Sequence, residues 1–237
     1  MRRVAAITML CLSLSACGGD GEGDGGAEGN DFQVAIEPEA QEQAESLLLT
    51  LADFPDGWRT SPGDEEDEES EAAFRDCVGV DYSAFIKVGE AQSDGFAMGE
   101  TAQASSEADV FESAEMATSA VAEFTRGFHD DEASPCMLEY IGELEDDQFE
   151  VTQAEVGELS FTPPVDVDDA SAFQAVVTVE GKPGTDAAGV SVDAYLDFVL
   201  LREGAATAAV STQDVGTPFD PALRDDLIAA VAERLTE

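Results

Sequence analysis

The chain contains 237 residues, of which 53 are acidic and 10 are lysine or arginine, so its formal net charge is −43. This charge argues against electrostatic binding to nucleic acid or to an anionic lipid surface, because both need positive side chains that displace counterions. It favours solubility and accumulates cations around the protein. We expect the acid to reflect adaptation of an exported protein to salty surroundings more than a specific acidic function.

The first residues have the pattern of an export signal, because two arginines precede an almost uncharged apolar run at 4–16. This run is shorter than the roughly 20 residues that a helix needs to cross the hydrocarbon core. It ends in Leu-Ser-Ala-Cys, which resembles the lipobox of bacterial lipoproteins, whose cysteine carries a diacylglycerol. We therefore predict a signal peptide at 1–16 that is removed, and lipidation of Cys17. An ordinary secretory signal with a chance cysteine is the alternative.

Residues 17–37 are predicted to form a lipidated, acidic, glycine-rich tether. The stretch at 18–30 consists almost wholly of Gly, Asp and Glu, which is typical of a flexible linker. Acyl chains such as palmitate on Cys17 would hold the protein at the membrane, because two buried chains anchor stably where one binds only marginally. The predicted location is therefore the extracytoplasmic face of the cell membrane, with lipid as the anchor.

Two of the four cysteines are expected to remain in the exported domain. Cys11 leaves with the signal peptide and Cys17 is lipidated, which leaves Cys77 and Cys136. Two cysteines outside the reducing cytosol most simply pair. The sequence therefore predicts one disulfide between them.

No metal site and no cofactor are predicted. Two cysteines need further ligands at suitable spacing to hold a metal, and the sequence shows none. The acidic runs at 64–71 and 166–169 supply oxygen atoms, but neither matches a calcium-binding loop with its central glycine. Weak, exchangeable binding of divalent cations is the most that these runs indicate.

Residues 38–237 are predicted to form a single α+β domain. Apolar residues at intervals of three and four predict helices at 38–52, 73–78, 113–126, 134–144 and from 220 to the end. Ser113, Ser134 and Asp220 are the predicted caps of the last three helices. Alternating or extended apolar patterns predict strands at 96–110, 149–151, 156–161, 173–179, 190–201 and 205–212. Short turns between strands, such as Glu203-Gly204, predict an antiparallel sheet, with helices packed mainly on one face. Trp58 follows a Pro-Gly turn and is expected to be a core residue whose indole N–H finds a partner.

Several stretches resemble a known type of domain. They are LADFPDGW at 51–58, YLDFVLLREG at 195–204 and GTPFDPALRDDLIAAVAERL at 216–235, together with the lipobox and the two spaced cysteines. In combination they resemble exported actinobacterial lipoproteins with a PknH-like extracellular sensor domain, over most of residues 40–237. The resemblance implies an antiparallel sheet flanked by helices, with a cleft. Sensor domains of this type have two disulfides, whereas this chain can form only one.

The sequence contains no motif of catalytic chemistry. The single histidine, His129, lies in RGFHDDE without a G-x-S-x-G turn, and zinc-protease, phosphate-loop and dinucleotide motifs are absent. We therefore expect a non-catalytic module that binds or senses a small-molecule or cell-envelope ligand. The alternatives are a structural or assembly partner of another envelope protein, and a hydrolase built on two carboxylates. A large apolar patch would favour assembly, and a concave site with convergent polar groups would favour ligand binding.

Overall fold

The computed structural model describes residues 36–61, 77–80, 84–129, 133–142, 148–163 and 166–237. Several predicted features lie outside these residues: the signal peptide, Cys17, most of the tether, the acidic run at 64–71 and residues 73–76 of the helix predicted at 73–78. Within the described ranges, no helix combines the length and the apolar character needed to cross a membrane.

Four helices and eight strands make up the described part of the chain. The helices are α1 (Pro38–Leu47), α2 (Ala114–His129), α3 (Ala133–Gly142) and α4 (Pro221–Leu235). The strands are β1 (Arg59–Ser61), β2 (Lys87–Gln92), β3 (Gly95–Met98), β4 (Ala102–Phe111), β5 (Phe149–Glu158), β6 (Asp169–Gly181), β7 (Ser191–Glu203) and β8 (Ala206–Val215).

The strands form one antiparallel sheet in the order β1-β3-β4-β8-β7-β6-β5, and β2 pairs with β4 next to β3. The long strands β6, β7 and β8 are joined by successive antiparallel pairings in its middle. The predicted α+β class and antiparallel sheet are confirmed.

Helices lie on both faces of the sheet, two on each, whereas the sequence predicted that they would lie mainly on one face. Helices α1 and α4 share one apolar cluster with Val199 and Leu201 of β7. Helices α2 and α3 share another with Phe198 and Leu200 of the same strand. Successive side chains of a strand point to opposite faces, so an uninterrupted apolar run belongs to a strand buried on both sides.

The β7–β8 hairpin is confirmed, with its turn shifted by one residue. Glu203 pairs with Ala206, so the loop is Gly204-Ala205, and Gly204 has φ +58°. A two-residue hairpin loop with glycine first favours this positive φ. The carboxylate of Asp168 accepts hydrogen bonds from Gly204 N–H and from the Arg202 guanidinium, each at 3.0 Å. The Gly204 bond is the main reason why the pKa of Asp168 lies below its usual value.

Three local predictions were wrong in detail. The first helix ends at Leu47 rather than at 52, since Leu48 is extended, and a 3-10 turn at Leu51–Asp53 follows. The strand at 96–110 is a hairpin of β3 and β4. Ser134 accepts a hydrogen bond from Val156 N–H of β5 at 2.9 Å, and α3 begins before it at Ala133, so it is not the predicted cap.

Trp58 is a core residue, as predicted, and is 7% exposed. Its ring lies 4.7 Å from that of Phe54 and 5.9 Å from that of Phe219, measured between centroids. Its indole Nε1, however, has no hydrogen-bond partner among the described residues, contrary to expectation.

The disulfide between Cys77 and Cys136 is present, with an S–S distance of 2.04 Å. It links the segment that precedes β2 to α3 on the α2/α3 face. The same segment contacts α2, because a Cβ added to Gly127 would lie 2.5 Å from Cγ2 of Val80. The predicted disulfide is therefore confirmed.

Candidate functional site

The residues singled out from the sequence do not converge on a reactive site. Cys17 lies outside the described residues, and the disulfide occupies both Cys77 and Cys136. His129 is exposed at the end of α2, where its ring packs edge-on against Phe173 with 5.1 Å between centroids.

Among the described helices, none packs on one region of the sheet on the α1/α4 side. Helix α4 packs mainly on β8 and β7, and α1 packs mainly on β2 and β4. This arrangement leaves open the same face of β5 and β6 and the adjoining ends of β7 and β8. We call the region the open face, and it consists of Gln153, Glu155, Gln174, Val176, Thr178, Asp193, Tyr195, Asp197, Thr212 and Asp214.

The alternation of side chains in strands places these residues on one surface. In β7, Ala194, Leu196 and Phe198 belong to the α2/α3 cluster, so Asp193, Tyr195 and Asp197 point to the other face. The equivalent alternation applies to β5, β6 and β8. A β-bulge between Val151 and Gln153 sets the phase of β5.

The strand register arranges the open face in rows. Glu155 pairs with Val176, Val176 with Tyr195, and Tyr195 with Asp214, so these four residues cross four strands in one line. Neighbouring strands lie about 4.8 Å apart, so the backbones at the two ends of the row are about 14 Å apart. An aliphatic and an aromatic side chain thus form the centre, with a carboxylate at each end.

Three carboxylates of the open face are held by short local hydrogen bonds. The Thr178 hydroxyl donates to Asp193 at 2.9 Å, and the Gln153 amide donates to Glu155 at 2.7 Å. Val215 N–H donates to Asp214 at 2.7 Å. Each of these bonds uses a single carboxylate oxygen.

A buried ion pair borders the open face where α4 begins. Asp197, 2% exposed, accepts from the Arg224 guanidinium at 2.9 Å and from the Gln174 amide at 2.7 Å. Arg224, 8% exposed, also lies 3.4 Å from the Asp225 carboxylate. Thr212 of β8 is the cross-strand neighbour of Asp197 in the register. Within the described ranges, the Nε of Arg224 and the buried hydroxyl of Thr212 have no hydrogen-bond partner. Unpartnered buried polar groups are costly, and ligands or bound water commonly satisfy them.

A second polar site lies on the opposite face, between the sheet and α2. The Nζ of Lys87 is 3.0 Å from Asp109 Oδ2 and 3.7 Å from Glu90 Oε2. Burial raises the pKa of the Asp109 carboxyl, although the Lys87 ammonium acts in the opposite direction. The small pocket at this pair is lined mainly by apolar groups, which include Phe111, Ala120, Val121 and Leu200.

Neither of these polar sites was predicted from the sequence. One signal for the open face was available, because Asp197 interrupts the apolar run of β7 and Asp193 lies four residues before it. A charged residue within a two-sided apolar strand must find a buried partner, and here that partner is Arg224 of α4. No local sequence pattern indicates a pairing between residues so far apart in the chain.

The sequence matches no known family model, and no curated protein shows a significant match. Among solved structures, the fold is similar to that of the extracellular domain of PknH from Mycobacterium tuberculosis. The TM-score is 0.42 and the sequence identity 10%, over 85% of this chain and 99% of that one. This is the type of domain that the sequence resembles. A likeness at this TM-score assigns no residue of this chain to a role, so the candidate site rests on the contacts described above.

Proposed function

We propose that this protein is a lipid-anchored extracytoplasmic lipoprotein whose folded region is a non-catalytic ligand-binding or sensing module. Its ligand surface is the open face. The predicted lipobox cysteine, Cys17, would hold the module outside the cell membrane, and the tether would let it reach ligands there.

The observation that carries this proposal is the open face, a mostly polar surface that four neighbouring strands form beside a buried ion pair. Binding sites typically combine apolar or aromatic surface with a few convergent polar groups, and Val176 and Tyr195 among amides and carboxylates have this composition. Stability alone does not explain the buried Asp197–Arg224 pair, because well-packed apolar residues often replace such pairs without loss of stability. A role in shaping the ligand surface accounts for its position.

Neither alternative function has comparable support. Four large apolar side chains are exposed within the described ranges: Ile36, Leu51, Met98 and Val190. They lie in different segments of the chain, which does not favour a broad assembly patch. Asp109, a carboxyl with a raised pKa, shares the Lys87 ammonium with the neighbouring Glu90 carboxylate on the opposite face of the sheet. These three side chains form an ion cluster, not two carboxylates on either side of a substrate gap.

The ligand surface can be tested with amide NMR spectra of the purified protein. We would titrate it with sugars, amino sugars, carboxylates and amines, and expect the amides of β6 and β7 around Val176 and Tyr195 to shift with a saturating ligand. The substitution Tyr195→Leu should weaken that binding, whereas Glu115→Gln, at an exposed position of α2 on the opposite face, should not. Saturable shifts confined to the Lys87 pocket would contradict the proposal, as would turnover of a substrate that Asp193→Asn abolishes.

The anchor can be tested by intact mass measurement of protein from native membranes. We expect a mature chain that begins at Cys17 and carries a diacylglycerol mass increment. A Cys17→Ala variant should lose the increment and appear in the soluble fraction. An unmodified, soluble mature chain of the natural sequence would contradict the lipoprotein assignment.

A further inference from the structure

Two carboxylates share one buried lysine where α2 packs on the sheet. We infer that Lys87, Asp109 and Glu90 form a pH-sensitive switch, in which Asp109 takes up one proton as pH falls and the Lys87 ammonium moves to Glu90. We call these three residues the proton cluster. The cluster lies on the opposite face of the sheet from the proposed ligand surface, and the inference does not depend on that surface.

The strand register places the two carboxylates side by side. Glu90 of β2 pairs directly with Asp109 of β4, and directly opposed residues have Cβ atoms about 5 Å apart. Like charges at such positions are unfavourable. The Nζ of Lys87 lies 3.0 Å from Asp109 Oδ2 and 3.7 Å from Glu90 Oε2, so one ammonium serves both carboxylates. When two carboxylates share a site, one of them keeps its proton to a higher pH.

Burial decides which carboxylate takes the proton. The side chain of Asp109 is 7% exposed and that of Glu90 is 33% exposed, so water stabilises the charged form of Glu90 better. Burial raises the pKa of Asp109, the Lys87 ammonium lowers it, and the Glu90 charge raises it further. The proton therefore goes to Asp109, and Glu90 remains as the charged partner of Lys87.

Proton uptake leaves no charge of the cluster without a partner. With both acids ionised, the cluster carries one positive and two negative charges. With a proton from solvent on Asp109, it carries one of each, and the Lys87 ammonium moves toward a carboxylate that is already 3.7 Å away. An isolated buried ion pair lacks this property, because protonation of its acid leaves the ammonium without an anion.

Apolar side chains of α2 and β7 lie against the cluster. Ala120 and Val121 of α2 and Leu200 of β7 line the small pocket beside Lys87 and Asp109. Glu123 of α2 forms an ion pair with Arg126 of the same helix at 2.6 Å. A change of charge in the cluster therefore acts directly on the apolar contact between α2 and the sheet.

Two further charged residues lie on this face of the neighbouring strands. Glu107 precedes Asp109 by two residues on β4, which places it about 7 Å along the strand. Its negative charge favours proton uptake by Asp109. Arg202 of β7 lies beyond Thr207 in the row of Asp109, and its guanidinium is engaged by Asp168 at 3.0 Å. Lys87 is therefore the cation that the proton displaces from Asp109.

The direction of the pH dependence follows from the raised pKa of Asp109. The folded protein binds this proton at a higher pH than the unfolded chain does, so the uptake stabilises the fold as pH falls through the folded-state value. The aspartates whose pKa is lowered, Asp53 and Asp168, act in the opposite direction. A falling pH therefore loosens other contacts while it favours the neutral form of Asp109 beneath α2.

The chain has only two lysines, Lys87 and Lys182, which makes the switch directly observable. We would follow their side-chain Nζ and Cε NMR signals in the purified protein as pH is lowered from neutral. The Lys87 signals should shift in one transition, with a midpoint above the ordinary range of aspartate. The amides of Ala120 and Val121 should shift with the same midpoint.

Three variants separate the switch from general titration of an acidic protein. Asp109→Asn imitates the protonated acid, so its Lys87 signals at neutral pH should match the acidic end of the natural transition, with Lys182 unchanged. Glu90→Gln should lower the midpoint, because it removes both the opposing charge and the anion that receives Lys87. The matched control is Glu158→Gln, which removes an exposed strand carboxylate at the other edge of the sheet and should leave the midpoint unchanged.

Three results would overturn the inference. Lys87 signals that show no transition above the ordinary aspartate range would mean that Asp109 does not take up the proton. An unchanged midpoint in Glu90→Gln would mean that Glu90 does not receive the lysine. Equal changes in Glu90→Gln and Glu158→Gln would mean that Lys87 only reports the total charge of the protein.

Discussion

Lys87 and Asp109 form a buried ion pair in which each charge depends on the other. Their side chains are 8% and 7% exposed, and 3.0 Å separates Nζ from Oδ2. Desolvation raises the pKa of Asp109. The charged form of Asp109 therefore depends on Lys87, and each residue would be strongly unfavourable alone.

We predict that Lys87→Met destabilises the protein by about 3–5 kcal/mol at neutral pH, because it leaves an unpaired carboxylate in the interior. The folded-state pKa of Asp109 is raised, so the cost should grow as pH rises through that value and shrink as pH falls and the carboxyl takes a proton. Urea unfolding at neutral and mildly acidic pH measures this difference. Lys182→Met removes the same charge at a half-buried loop position and is the control.

The double substitution Lys87→Met and Asp109→Leu should recover most of the lost stability, because apolar residues often replace a buried ion pair at little cost. A double variant as unstable as Lys87→Met alone would show that packing around the lysine stem, and not the unpaired charge, determines the loss.

At the scale of elements, α1 lies unusually close to β2. A Cβ built on Gly89 would lie 2.4 Å from both the carbonyl carbon and the oxygen of Ala40, so only glycine permits this contact. At its other end, α1 is tied to α4 through Arg234, which donates to Leu48 O at 2.8 Å and to Asp53 at 2.6 Å. The α1/α4 layer is therefore held at both ends.

We predict that Gly89→Ala destabilises the protein by about 1–3 kcal/mol, because the α1 backbone must move away from the sheet. Gly157→Ala is the matched control, since a Cβ on that strand glycine meets no atom within 4 Å. The control should be neutral or slightly stabilising, because alanine loses less backbone entropy on folding. Urea midpoints of the two variants give the comparison, and equal midpoints would contradict the close approach.

At the scale of the whole molecule, the disulfide closes a long loop. Cys77 and Cys136 are 59 residues apart, and the chain between them contains β2, β3, β4 and α2. The crosslink therefore restricts a large part of the unfolded chain as well as joining α3 to the segment before β2.

Reduction should lower the free energy of unfolding by about 4 kcal/mol on the chain-entropy account. The measurement is urea unfolding with and without reductant. The variant with Cys77→Ser and Cys136→Ser should unfold like the reduced protein, and reductant should not affect it further. A natural protein whose midpoint is unchanged by full reduction would contradict this expectation.

Features with local causes were predicted well. Asp220 caps α4, because its Oδ1 accepts from Ala222 N–H at 2.9 Å and from Leu223 N–H at 3.3 Å, with Pro221 in the first turn. The β7–β8 hairpin and the pairing of Cys77 with Cys136 also followed from short patterns or from simple counting. Lipidation of Cys17 and the absence of catalysis remain predictions.

The sequence by itself determined the class of fold, the Asp220 cap of α4, the hairpin and the disulfide, because each depends on neighbouring residues or on a choice among few partners. Only the tertiary structure decided that helices cover both faces, and that Glu155, Tyr195 and Asp214 share one row. Strand register and face depend on pairings between residues far apart in the chain. The candidate site exists only through those pairings, since no single segment contains enough of its residues to reveal it.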